Sequence, residues 1–89
     1  MTIEEFQRYI HERYYQRDQA RGGAATFMWF IEEVGELATA LGGADHANQE
    51  EEFADVLAWL CTLANIHGVD LAAALRRKYL DGKGPQGFK

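Results

Sequence analysis

The chain has 89 residues, a net charge of −5, 47% hydrophobic residues and one cysteine. A chain of this length makes one domain, 1–89, and buries only about 60–65% of the surface its unfolded form exposes, so a second copy is expected to complete the core. The acidic balance without a basic run excludes nucleic acid polymers and anionic membranes as partners, and Cys61 alone excludes a disulfide framework or a cysteine metal site.

The chain opens "MTIEEFQ", with no basic-then-apolar leader, and no stretch approaches the ~18 apolar residues of a membrane span, so a cytoplasmic location is expected. Thr2 followed by Glu5 predicts a capping box at the start of a first helix. Ile3, Phe6, Ile10 and Tyr14 then repeat at three- and four-residue spacing and give it one apolar stripe. Gly22 and Gly23 end it. A second helix is predicted from Thr26 as N-cap, with Phe27, Phe30, Ile31, Val34, Leu37, Ala38 and Leu41 on a broad apolar face. "GGADHA" is a connector suited to an antiparallel turn, and Asn48 with Glu51 predicts a second capping box. The third helix carries Phe53, Val56, Leu57, Leu60, Leu63 and Ala64 and stops at Gly68. Asp70 caps a fourth, through Leu71, Ala74, Leu75 and Tyr79, and "DGKGPQGFK" is a loose tail from about 81 to 89. The expected fold is all-α: a four-helix antiparallel bundle with its core completed by oligomerisation.

The carboxylates are not spread evenly. At 100° per residue, Glu33 and Glu36 fall on a stripe with Trp29 and Ala40 that flanks the apolar face of the second helix, with Glu32 on the far side. Glu52 and Asp55 flank the face of the third, in a stripe with Trp59, Thr62 and Ile66. Each pair is spaced i, i+3 and so shares one patch of helix surface. If the two helices pack antiparallel, four carboxylates converge at the rim of the core. Clustered carboxylates repel and take up protons unless a cation compensates them. All-oxygen donors select hard ions, so Mg²⁺ is expected, with Mn²⁺ as an alternative. The Glu-x-x-His pairs of di-iron bundles are missing. Either acidic pair alone reads as an ordinary solvated helix flank; two pairs on consecutive helices, each beside a tryptophan, do not. Trp29 and Trp59 are candidates for stacking on a base, with helix or subunit packing as the alternative. His11, His46 and His67 show no ligand or catalytic-pair spacing.

"WFIEEVGELATAL" followed by "EEEFADVLAWLCTLANIHGVDLAAAL" resembles the MazG-like nucleotide pyrophosphohydrolases of the all-α NTP pyrophosphatase superfamily. Their E-E-x-x-E signature matches Glu32, Glu33 and Glu36, and E-x-x-D matches Glu52 and Asp55, with fifteen residues between the two parts. The resemblance runs from about Phe27 to Tyr79. It implies that Glu33, Glu36, Glu52 and Asp55 bind Mg²⁺ and that a nucleoside triphosphate is cleaved between the α and β phosphates, a nucleotide-pool clean-up activity. Glu32, or Glu33 in a dual role, is then the candidate that orients the attacking water. It also implies substrate contacts from Lys78, Lys83 and Asn65, which resembles an asparagine that some relatives carry there. Where relatives with K-x-x-x-N have asparagine, this chain has Gly82, so Arg17 and Arg21 are further candidates for the phosphates. Relatives form dimers or dimers of dimers, which implies a homodimer or homotetramer. The motif leaves open a relative acting on a phosphorylated derivative such as phosphoribosyl-ATP. A non-catalytic helical oligomerisation module with an acidic groove is the reading from a different class.

Overall fold

Thr2 opens the first helix as its sequence predicts. Its hydroxyl accepts from the Glu5 N–H at 3.0 Å, and the Glu5 carboxylate accepts from the Thr2 N–H at 2.7 Å. Those two bonds satisfy donors that a helix start otherwise leaves unpaired, and they hold the Glu5 carboxyl below the usual range. The computed structural model describes residues 1–81, which contain helices and no strand. These are α1 (Ile3–Arg21), α2 (Gly23–Leu41), α3 (His46–Ile66) and α4 (Leu71–Leu75), the last widening into a π-helical segment, Arg76–Leu80.

Two helix starts differ from the sequence reading. Gly22 takes φ = +87°, a region glycine enters without a side-chain penalty, so the chain turns there and α2 begins at Gly23. Thr26 therefore lies inside α2. It is fully buried, and its hydroxyl donates to the Gly22 carbonyl at 2.7 Å. At Gly23 a Cβ would lie 2.8 Å from His67 Nε2, so a larger residue there would make the exposed imidazole at the end of α3 shift. At α3, Asp45 rather than Asn48 is the cap, and it accepts from the Asn48 N–H at 3.2 Å. Asp70 caps α4 as expected, accepting from the Ala73 N–H at 3.1 Å.

Packing is centred on α3, which contacts both α2 and α1. The last helix leaves α3 at 97°, so it crosses the bundle rather than lying along it, and it packs on α1. A buried amide clamp fixes that crossing. Gln7 Nε2 donates to Asn65 Oδ1 at 3.0 Å and to the Val69 carbonyl at 2.7 Å. Gln7 Oε1 accepts from the Leu71 N–H at 3.0 Å, and Asn65 Nδ2 donates to the Gln7 carbonyl at 3.3 Å.

The interior of the single chain is narrow and mixed. Its buried apolar side chains are Ile10, Ala40, Cys61 and Ala64, beside buried Gln7, Asp18, Thr26, Thr62 and Asn65. Burial pushes the Cys61 thiol up, away from reactive thiolate, as its apolar context predicts. The broad face of α2 that the sequence assigns to the core is half open: Phe27 is 52% exposed, Ile31 49%, and Phe53 of α3 56%. Within one chain α2 turns its other stripe inward, the one holding Thr26, Glu33 and Ala40. No single helix among the described residues is long and apolar enough to cross a membrane.

Candidate metal centre and the adjoining cleft

That inward stripe puts acids where helices meet. Glu33 and Glu36, one turn apart on α2, face Glu52 on α3, and one carboxylate oxygen from each lies within 4.8 Å of the others. Asp55, one turn beyond Glu52, is exposed and stands outside that tight trio, yet its charge acts on both Glu33 and Glu52. The four predicted acids therefore converge, three closely and the fourth at their edge.

The electrostatics show what the cluster lacks. Glu33 Oε2 and Glu52 Oε2 are buried and have no hydrogen-bond partner among the described residues. Burial, then the charge and a hydrogen bond of Glu36, then the charges of Asp55 and Glu52, push the Glu33 carboxyl up to about 7. Glu52 is raised for like reasons, burial first, then Glu36, Asp55 and Glu51. Among the described residues no cationic side chain makes an ion pair with any of the four. A buried acceptor without a donor is rare in folded proteins, and two of them side by side define a gap for positive charge. The donors are all oxygen, which fits a hard divalent cation.

Glu32 is exposed, away from the Phe30 and Val34 side of α2. With Glu33, Trp29 and Trp59 it lines a cleft of about 430 Å³ beside the cluster. The two indoles meet edge to face with ring centres 5.4 Å apart, which ties the α2 and α3 walls of the cleft together. Arg21 reaches under both: its guanidinium carbon lies 4.9 Å from the Trp29 ring centre and 5.1 Å from that of Trp59. Arg21 Nη2 donates to Asp18 Oδ1 at 2.7 Å, and Nε to Thr26 Oγ1 at 2.9 Å.

Other candidates lie apart from this group. Asn65 is ten residues beyond Asp55 on α3, about 15 Å along the axis, and both ends of its amide are engaged by Gln7. Its visible task is the crossing of α4. Lys78 is on the π-helical segment, its Nζ 5.6 Å from the Tyr79 ring centre, and lines neither the cluster nor the cleft. Arg17 rests on Tyr14 at 4.7 Å. Lys83 and Gly82 lie outside the described residues, as does the tail beyond Asp81. His46 is an exposed partner of Glu50 at 3.5 Å, and His67 backs Gly23. Sequence reasoning passed over Asp18, although it falls in register with Ile10 and Tyr14, where α1 should continue its apolar stripe, and it read Thr26 only as a cap.

Comparison with curated proteins gives no match. The family model described as the MazG nucleotide pyrophosphohydrolase domain matches residues 21–79, which span the acid cluster, both tryptophans and Arg21. With that match over most of its length, and with the signature acids brought together on α2 and α3, the chain belongs to the MazG nucleotide pyrophosphohydrolase family.

Proposed function

We propose that this protein is a Mg²⁺-dependent nucleoside triphosphate pyrophosphohydrolase, with Mn²⁺ as a substitute ion. Water and a nucleoside triphosphate give a nucleoside monophosphate and pyrophosphate, with the α–β anhydride bond broken, in clean-up of the nucleotide pool. The observation that carries this reading is the convergence of Glu33, Glu36 and Glu52 with two buried, unpartnered oxygens.

Glu33, Glu36, Glu52 and Asp55 would hold the ion, as is typical of a family that depends on divalent metals. Bound there, it would neutralise phosphate charge and acidify a water. The residues of the chain supply the rest. Glu32 lies on the cleft wall beside Glu33, where it can accept a proton from the attacking water and orient it. Glu33 is the second candidate for that role. Trp29 and Trp59 offer an aromatic wall next to the acids, and stacking a base on such a ring is worth about 1–3 kcal/mol.

The assembly belongs to the same reading. Phe27, Ile31 and Phe53 form an apolar face left open by one chain, and a second copy, as homodimer or homotetramer, would cover it. The activity is tested by measuring pyrophosphate release from a panel of nucleoside triphosphates with wild type and Asp55→Asn. Wild type is expected to release pyrophosphate only with the divalent ion, and the variant to lose about 10²-fold or more in turnover with native helix content. Turnover that ignores both the ion and the substitution contradicts the reading, and release from phosphoribosyl-ATP alone redirects it to that substrate.

A further inference from the structure

Asp18 is the most deeply buried charged side chain in the described chain, at 2% exposure, and half of its carboxylate has no job there. Oδ1 accepts from Arg21 at 2.7 Å, whereas Oδ2 is buried with no hydrogen-bond partner among the described residues. An ionised carboxylate is an acceptor only, so what Oδ2 lacks is a donor. Asp18 stands in the wall of a cleft of about 210 Å³ with Tyr14, Arg17, Trp59 and Thr62. Trp59 is also a wall of the acid-side cleft, so the two clefts share one indole. On α3 the residues facing Asp18, from Ala58 to Thr62, lie about one to two turns beyond Asp55. A nucleotide with its phosphates at the acids would run along α3 and bring its base to Trp59 and then to Asp18.

Resting on the nucleotide reading of the acid cluster, we propose that Asp18 Oδ2 is a base-recognition group, which selects nucleotides whose base carries an exocyclic amino group. The 4-amino N–H of cytosine or the 6-amino N–H of adenine supplies the missing donor. The corresponding carbonyl of uracil, thymine or hypoxanthine sets oxygen against oxygen. Arg21 is the positioning residue: it holds Oδ1, so that Oδ2 is the free atom, and it lies under the two indoles that the base would meet. The orphan atom is sealed in the free chain. The cleft that Asp18 lines is also lined by Tyr14 and Arg17, an exposed pair stacked at 4.7 Å, so surface side chains stand where a base would enter.

The test compares bases that differ at the amino position, dCMP with dUMP and dAMP with dIMP. Binding to the full chain in Mg²⁺ is followed by quenching of the two tryptophans, and turnover of the matching triphosphates is measured in parallel. Wild type is expected to favour the amino-bearing member of each pair by about tenfold or more, because a site built for a hydrogen bond penalises the analogue without it. Asp18→Asn puts an amide NH₂ where the acceptor stood and is expected to collapse or invert both ratios. A purely structural Asp18 would weaken both members equally. Equal wild-type affinities, ratios unchanged in Asp18→Asn, or no binding of any of the four monophosphates overturns the proposal. If Asp18→Asn does not fold by circular dichroism, the wild-type ratios decide. Selective dCMP binding without turnover of any triphosphate would sink the pyrophosphohydrolase reading and leave the Asp18 site standing. Turnover without base discrimination would do the reverse.

Discussion

Glu36→Gln should make the metal-free protein more stable, which is unusual for a residue so close to the centre of a site. Its carboxylate is within 4.8 Å of those of Glu33 and Glu52, and its charge helps to raise both. Above about pH 7, where Glu33 has lost its proton, two unit charges at that separation repel by about 0.9 kcal/mol in a water-like dielectric, and exposure and salt reduce the Glu33–Glu36 repulsion to about 0.5 kcal/mol. The Glu52 contact acts in the same direction. In a domain of this size about 0.5 kcal/mol raises Tm by roughly 2–4 °C. With the ion present the order should reverse. A ligand at ten times its Kd stabilises the wild type by about 1.4 kcal/mol, whereas the variant, short of one donor, should gain little. Differential scanning fluorimetry in EDTA and in millimolar Mg²⁺ reads all four states. A variant that melts lower than wild type in EDTA, or that keeps the full Mg²⁺ shift, refutes the argument that these acids are held together against their own repulsion for the sake of a cation.

The raised Glu33 carboxyl, at about 7 against an unfolded value of about 4.3, means that the folded metal-free chain keeps a proton that the unfolded chain releases. The stability it contributes is therefore complete below about pH 4.3 and is lost as pH rises through about 7; urea melts in EDTA should show this loss in wild type and its absence in Glu33→Gln. Apparent Mg²⁺ affinity should rise over the same window, and a flat affinity from pH 5 to 8 would contradict it. Gln7→Ala removes the clamp to Asn65, Val69 and Leu71 and should lower stability by about 2–4 kcal/mol in chemical denaturation. Because that clamp lies far along α3 from the acids, turnover per folded molecule should change little. Ile31→Glu places a charge on the open apolar face and should shift sedimentation to the monomer, with no change expected if that face is free in solution.

Helical periodicity made most of this architecture readable, and the i, i+3 spacing of the acids gave the cluster before any coordinates. What periodicity misjudged was which stripe of α2 packs inside one chain. Phe27 and Ile31 are the more apolar side, yet the small and polar stripe of Thr26, Glu33 and Ala40 packs inward, leaving the large side chains half exposed. A single sequence cannot separate burial within a chain from burial between chains, since both use the same apolar pattern. The start of α2 was missed because Thr26 has the chemistry of a cap, whereas the turn is made by the φ of Gly22 four residues earlier. Asp18 was passed over because an aspartate four residues from an apolar neighbour normally marks the edge of a stripe. Its partner Arg21 shows itself only once Trp29 and Trp59 are brought against it. Asn65 matched a family position, but its neighbour Gln7 is 58 residues away in sequence and no local pattern links them.

The central claim is that Glu33, Glu36, Glu52 and Asp55 form one divalent-cation site. Titrating Mn²⁺ into the protein and following the free-ion electron paramagnetic resonance signal tests it without reference to any substrate. Wild type should take up Mn²⁺ saturably and release it to excess Mg²⁺, and Glu33→Gln with Glu52→Gln should abolish the uptake while the helices remain. Equal, unsaturable uptake by wild type and the double variant would mean that the acids are only a charged surface and hold no ion.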